Sequence, residues 1–313
     1  MLLRRNNYGK GPEPCRPPGQ DVAGNFKINR GQEGKSDVNS EYKLMFSCLF
    51  RQGGGGLSRG DLLIELEKLQ AIIEEIAPAA LADKYDSPFF WRKPGDRLQK
   101  IGVCVDPTEQ NLHMAREDGV DLLISHHPCM EKDASLLADT EMGVLVLHSV
   151  WNKAPEGNTS TFARLLNLKD PVQEGELIYG RLEMTLRGLL FACQRLLQTP
   201  LLPYAGDLNA RTGQVLIISG PGFAPIYRDQ WDKYITLGCD TFLSSELGRY
   251  ALSYLTRHGI KLVDLGHSVM ARPGMEHLTY TLQTRLKIFH CEVIFYPDLY
   301  TVNYQTVSFY PGL

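Results

Sequence analysis

Short runs rich in β-branched residues alternate with helix-like stretches along most of this sequence. The clearest unit is a strand pattern at 100–105, a helical pattern at 109–118 and a second strand pattern at 120–124. Because one short helix connects the two strands, we expect them to pair in parallel. The alternation recurs in the second half, for example in the strand patterns at 214–218 and 260–265. The sequence therefore predicts an α/β protein with two α/β lobes, whose mixed sheets are flanked by helices.

The amino-terminal segment differs in composition from the rest of the chain. Residues 1–56 are rich in Gly, Pro, Asn, Arg and Lys and end in four consecutive glycines, which predicts a disordered leader. Ser58 can cap a helix over 59–76, where ordered structure should begin. We expect the first α/β lobe to cover residues 57–180 and the second to cover residues 181–313.

Composition limits the compartment and the partners of the protein. The net charge of −3 and the pI of about 6.3 give no sign of binding to nucleic acid or to an anionic membrane. No apolar run reaches the length of about 20 residues that a membrane-spanning helix needs. Seven scattered cysteines without a CxxC pair argue against a disulfide framework and favour a reducing compartment. We expect a cytoplasmic protein, and the basic start of the leader leaves a mitochondrial transit peptide or a mis-assigned start codon as alternatives.

Polar side chains stand at the ends of three predicted strands. Asp106 follows the first strand, His126 and His127 follow the second, and His267 follows the strand at 260–265. The carboxyl ends of parallel strands form the edge where ligands bind in open α/β sheets, so we expect Asp106 and the paired histidines to meet there. Imidazole with carboxylate or water suits divalent transition metals. A pair of solvated loop histidines is the alternative interpretation.

The motif Ser219-Gly220-Pro221-Gly222 follows another predicted strand and has two interpretations. Its glycines can form an anion-binding nest, but the motif lacks the lysine of a P-loop, so a tight turn is favoured. The sequence contains no Gly-x-Ser-x-Gly elbow, which argues against a hydrolase triad.

Several motifs together carry a resemblance to a known family. The segment Val103–Thr108, followed by Gly119–Pro128 with its paired histidines, resembles the core motif of the Nif-three-like family, also labelled GTP cyclohydrolase 1 type 2 or YbgI-like. Further segments resemble the family's motifs in the same order: Ile76–Pro78 with Asp83–Asp86, His148–Gly157, Asp240–Glu246 and Gly259–His267. The resemblance extends from about Ser58 to Leu313 and matches the compact form of the family.

The resemblance implies a two-lobed α/β protomer, a homohexamer and a dinuclear metal site shared by the lobes. His126, His127 and His267 occupy three of the family's ligand positions. The position of the family's aspartate ligand falls on Asn152, and that of its glutamate ligand falls on Ala271. Asn152 is a weak ligand because its amide oxygen is neutral, and Ala271 offers no ligand atom. We therefore expect one divalent ion, such as Zn, Mn or Fe, or none.

Three functions remain open on the sequence. The missing carboxylates favour a regulatory or assembly scaffold, whose partners by family resemblance include transcription regulators, or a protein that binds or carries a single metal ion. The alternative is a metal-dependent hydrolase of the cyclohydrolase or phosphoesterase type, acting on a nucleotide-like substrate through metal-bound water. The sequence assigns no catalytic residue and no organic cofactor.

Overall fold

The computed structural model describes residues 63–84, 86, 88–130, 135–137 and 140–298. The leader predicted at residues 1–56 and the helix cap predicted at Ser58 lie outside these residues. Within them, no helix combines the length and the apolar character needed to cross a membrane.

Strands and helices alternate along the described chain, as the sequence predicts. The strands are β1 Ile64–Glu65, β2 Phe89–Arg92, β3 Arg97–Leu98, β4 Lys100–Cys104, β5 Leu122–Ser125, β6 Gly143–Val146, β7 Lys169–Glu174, β8 Leu177–Arg181, β9 Tyr204–Ala205, β10 Gln214–Ile218, β11 Cys239–Ser244, β12 Lys261–Asp264 and β13 Glu292–Tyr296. The helices are α1 Leu66–Ile76, α2 Glu109–Glu117, α3 Ser149–Lys153, α4 Asn158–Leu165, α5 Leu186–Leu197, α6 Arg228–Thr236, α7 Arg249–Arg257 and α8 His267–Leu286. Short 3-10 turns lie at Ala79–Leu81, Ser135–Leu137, Pro225–Tyr227 and Lys287–Phe289.

The first sheet has the strand order β13-β4-β5-β6-β2. Strands β13, β4, β5 and β6 are parallel to their neighbours, and β2 closes the edge antiparallel to β6. All four residues of β5 are buried, because helices cover both faces of the sheet. The parallel pairing of β4 and β5 through α2 confirms the predicted βαβ unit.

The second sheet has the order β7-β8-β10-β11-β12-β9. Its central strands β10, β11 and β12 are parallel, and the flanking strands are antiparallel to them. Both sheets are thus mixed and carry helices on their faces, which confirms the predicted α/β class. A separate pair of two-residue strands, β1 and β3, lies outside both sheets.

Helix α8 packs against the cores of both sheets. Near its start, Met270 belongs to the core of the second sheet, whereas Met275 and Leu278 belong to the core of the first. The chain also crosses between the sheets elsewhere: β7 and β8 join the second sheet, and β13 returns to pair with β4. The lobe boundary expected between residues 180 and 181 stays a prediction.

Two predicted helix starts are wrong. The helix expected over 59–76 begins at Leu66, because Ile64 and Glu65 pair with β3 instead. The helix expected to begin at Gly274 begins at His267, and Pro273 lies inside it. Proline usually breaks a helix interior because it removes one N–H donor, but the packing of α8 between two cores compensates here.

Candidate metal centre

The carboxyl ends of strands from both sheets supply the side chains of this site. His126 follows β5 directly, and His148 lies two residues beyond β6. From the second sheet, Glu246 follows β11, and His267 opens α8 three residues after β12 ends. The parallel strands fix the position of this edge, so residues far apart in sequence converge on it.

Four imidazoles lie together at this edge. Ring nitrogens of His126, His127 and His148 all lie within 4.8 Å of one another. The ring of His267 is 5.1 Å from that of His127, centroid to centroid. His126 is buried, while the side chains of His148 and His267 remain 34% and 31% exposed, so the cluster opens toward solvent on one side.

In each of the four histidines, the Nδ1 nitrogen lies within hydrogen-bond distance of an oxygen atom. The acceptors are the Leu147 carbonyl for His126 (3.2 Å), Asp106 for His127 (2.6 Å), Asp86 for His148 (2.6 Å) and Glu246 for His267 (2.8 Å). An acceptor at Nδ1 holds the proton there and leaves the lone pair on Nε2 for a metal ion. The contact between Asp106 and His127 confirms that the polar ends of β4 and β5 meet.

The local sequence explains why Asp106 is available to His127. Thr108, and not Asp106, caps helix α2, because the Thr108 hydroxyl accepts a hydrogen bond from the N–H of Asn111 at 3.2 Å. The Thr108 hydroxyl thus caps the helix, and the carboxylate of Asp106 bonds the imidazole of His127.

The donor atoms present fit a divalent transition metal. The Nε2 atom of His127 is buried, and no atom in the described part of the chain satisfies it. Burial, reinforced by the neighbouring imidazoles of His127 and His148, lowers the pKa of His126 well below its ordinary value, so this ring is in the neutral form that binds metals. Burial raises the pKa of the nearby Cys104 thiol, with smaller effects of Asp298 and Asp106, so this residue supplies no thiolate ligand.

The two positions that differ from the family pattern contribute no carboxylate. Asn152 is 8% exposed, and its Oδ1 atom accepts a hydrogen bond from Nδ2 of Asn158 at 2.9 Å. Ala271 is buried in the apolar core beside the first sheet. Among the described residues, Asp86, Asp106 and Glu246 each place a carboxylate against an imidazole of the cluster.

Sequence reasoning missed four residues of the site: Asp86, His148, Asn158 and Glu246. Asp86 and Glu246 lie in segments that resemble family motifs, but nothing in the sequence marks them as partners of the imidazoles. His148 stands alone after β6 and was placed only within a motif, although its position at a strand end matches that of the paired histidines. Asn158, on α4, is buried with its Nδ2 atom 3.4 and 3.5 Å from the ring nitrogens of His126. No local pattern marks Asn158, because its role depends on packing between distant segments.

The segment Ser219–Gly222 lies beside the cluster as a turn. The Gly222 N–H donates to the Gly220 carbonyl at 2.9 Å, and the hydroxyls of Ser244 and Ser245 donate to the same carbonyl. Gly220 has a φ of +73°, and a Cβ atom there would lie 3.9 Å from Nε2 of His267. These bonds favour the tight-turn interpretation over the anion nest.

Two sheets whose carboxyl edges converge on clustered histidines define an α/β protein with an imidazole-rich candidate metal centre. The model of the family Duf34/NIF3 (NGG1p interacting factor 3) matches residues 64–299. The chain therefore belongs to the Duf34/NIF3 family, which confirms the resemblance seen in its motifs.

Relatives and solved structures agree with this assignment. The chain is 25% identical over 250 residues to a GTP cyclohydrolase 1 type 2 homolog of Clostridium perfringens, covering 71% of this chain and 93% of that protein. It is 22% identical to a homolog of the same name from Methanocaldococcus jannaschii, covering 72% and 97%. The fold is similar to reduced HcgD from M. jannaschii (TM-score 0.64, 20% identity, 74% and 98% covered) and to Staphylococcus aureus hypothetical protein SA1388 (TM-score 0.66, 16% identity, 78% and 99% covered).

Asp106 should strengthen metal binding through His127. We expect Asp106→Asn to raise the dissociation constant for Zn²⁺ by about 10- to 100-fold, because the substitution removes the charge that holds the His127 proton on Nδ1. Competition with a chromophoric chelator measures the change. Asp229→Asn, on the exposed start of α6, is the matched control, and equal affinities for both variants would contradict a role for Asp106.

Proposed function

We propose that this Duf34/NIF3 protein binds one divalent transition-metal ion and serves as a regulatory or assembly protein, not as an efficient dinuclear hydrolase. The observation that carries the proposal is the shared orientation of the imidazoles: each Nδ1 faces an oxygen acceptor, which leaves each Nε2 for the ion. His126, His127 and His148 would hold the ion, and His267 lies beside them.

The chemistry of the donor set supports one ion. Neutral imidazoles bind a single ion such as Zn²⁺ or Fe²⁺ well, and three histidines with water is a known zinc arrangement. Two ions close together need carboxylates to bridge them and offset their repulsion. Asn152 and Ala271 supply no such group. When bound, the ion would supply Lewis acidity and positive charge.

The assembly and the partners belong to the same proposal. The family resemblance implies a homohexamer and an interaction with transcription regulators. The scattered cysteines favour a cytoplasmic location. The family description as an NGG1p interacting factor supports a role in protein interaction.

The metal content of the purified protein tests the proposal. We expect about one ion per chain after loading with Zn²⁺ and gel filtration, measured by inductively coupled plasma mass spectrometry. Two ions per chain would contradict the single-ion site, and the absence of any bound metal would contradict metal binding altogether.

The hydrolase alternative has a separate test. The names of the relatives as GTP cyclohydrolase 1 type 2 homologs support it. We compare the wild-type chain with the double variant Asn152→Asp with Ala271→Glu, which restores both carboxylates of the family pattern. Hydrolysis of bis-p-nitrophenyl phosphate should be absent from the wild type. Metal-dependent hydrolysis by the wild type would favour the enzyme, and an unchanged metal content in the double variant would show that these positions do not face the site.

A further inference from the structure

Helix α5 turns a cationic and aromatic face toward solvent. Arg187, Phe191 and Arg195 follow one another at intervals of four residues on this helix, and all three are exposed. Side chains four residues apart lie on the same side of a helix, so the phenyl ring lies between two guanidinium groups. Phe191 is 60% exposed, whereas Leu189 and Cys193 on the opposite side are buried in the core of the second sheet. We call the three exposed residues the α5 face.

The two arginines of the α5 face have no charged partner in the described part of the chain. Their side chains form no hydrogen bond and no ion pair there, in contrast to Arg181, which binds Asp170. Helix α5 contains no acidic residue, and Glu183, which precedes it, is bonded to neither arginine. Because complementary charge steers association and selects between partners, a cationic surface without its own counter-charges favours an acidic partner.

An exposed leucine adds to the apolar part of this surface. Gln194, one turn after Phe191, donates from Nε2 to the Pro200 carbonyl at 2.7 Å, which holds the following loop against the last turn of α5. Leu201, the next residue, is 47% exposed, and its carbonyl accepts a hydrogen bond from the Thr199 hydroxyl at 3.2 Å. These bonds order the loop before a partner binds, which lowers the entropy cost of association. The surface therefore offers preformed apolar contacts beside its cationic groups.

We propose that the α5 face binds an acidic amphipathic segment of another protein, with an apolar side chain against Phe191 and a carboxylate against each arginine. Arg187 and Arg195 lie about 12 Å apart along the helix axis. Carboxylates that flank the apolar stripe of an amphipathic helix can match this spacing. Phenylalanine and arginine are enriched where proteins meet, and the net charge of −3 disfavours an anionic membrane or nucleic acid. This inference rests on the regulatory or assembly role in the proposed function and does not involve the metal centre.

Fluorescence anisotropy of a labelled acidic peptide, with the repeating sequence EELAELL, tests this inference on the full-length chain. The affinity for the peptide should fall as the salt concentration rises. Phe191→Ala should weaken binding by about tenfold, because an aromatic anchor is lost. The double variant Arg187→Glu with Arg195→Glu should weaken binding by about 100-fold, because like charges then face each other. A peptide with glutamine in place of every glutamate should not bind.

Helix α7 supplies a matched control for the charge changes. Arg249 and Arg257 are exposed at the same spacing, but Ser253 takes the central position that Phe191 has on α5. The double variant Arg249→Glu with Arg257→Glu changes the net charge equally and should leave the peptide affinity within about threefold of the wild type. An equal loss of affinity in the two double variants would show unspecific attraction of charge and overturn the inference.

Further outcomes separate the inference from its alternatives and from the proposed metal site. A wild-type chain that takes up Zn²⁺ but does not bind the peptide would overturn the inference and leave the metal site standing. A smaller assembly of Phe191→Ala in sedimentation velocity would overturn it in favour of contacts between copies of this chain. Tighter binding to phosphatidylglycerol vesicles than to the peptide would overturn it in favour of a membrane. Peptide binding as expected, in a chain that takes up no Zn²⁺, would support the inference and contradict the metal site alone.

Discussion

We expect His148→Ala to lower the metal content of the purified chain from about one ion to nearly none, with a loss of affinity greater than about 100-fold. Removal of a positioning group already costs about 10- to 100-fold, and the loss of a ligand atom should cost more. His148 gives the sharpest test, because the family's ligand positions fall on other residues of this sequence and not on His148. A ring nitrogen of His148 nevertheless lies within 4.8 Å of a ring nitrogen of His126 and of one of His127.

The measurement is a Zn²⁺ or Co²⁺ titration, together with a thermal melt of the metal-free chain. His148 is only half-buried, so the metal-free variant should unfold near the wild-type temperature. His113→Ala is the matched control, because His113 is exposed on α2, where its Nε2 atom lies 3.9 Å from the Glu109 carboxylate. Full metal content in His148→Ala would show that His126, His127 and His267 form the site without it.

The sequence predicts those residues of the site that stand next to a recognisable strand end. His126 and His127 stand at the end of an apolar strand before a proline, and His267 stands at the end of another strand, so strand ends alone located three imidazoles. Asp106 was expected at the same edge for the same reason. His148 also follows a strand, but a single histidine is a weaker signal than a pair, and the family's ligand pattern points to position 152 instead.

The rest depends on contacts between distant segments. Strands β1 and β3 have only two residues each, and they exist because Ile64 pairs with Leu98 across more than thirty residues. The sequence does not predict that α8 begins at His267, because Pro273 lies inside this helix and a proline usually ends one. Asn158 is part of the site only because α4 packs against α8 and places its amide against His126.

We expect Gly274→Ala to destabilise the chain by about 1–3 kcal/mol and to weaken metal binding, although alanine is the better helix former by about 1 kcal/mol. A Cβ atom at Gly274 would lie 2.1 Å from Oδ1 and 2.6 Å from Cα of Asn158, so the backbone of α4 must shift. That shift moves the Asn158 amide away from His126 and Asn152.

Urea unfolding of two glycine variants isolates this contact. Gly188→Ala, inside α5, places its Cβ no closer than 3.5 Å to a neighbouring atom, so it should raise stability by about 0.5–1 kcal/mol through helix propensity. The two variants share the same chemical change and should move the unfolding midpoint in opposite directions. If both variants raise the unfolding midpoint and Gly274→Ala binds Zn²⁺ with wild-type affinity, the close approach of α8 to Asn158 supports neither the fold nor the site. Opposite shifts, with weaker Zn²⁺ binding in Gly274→Ala alone, would tie the packing of α8 to the orientation of the imidazoles.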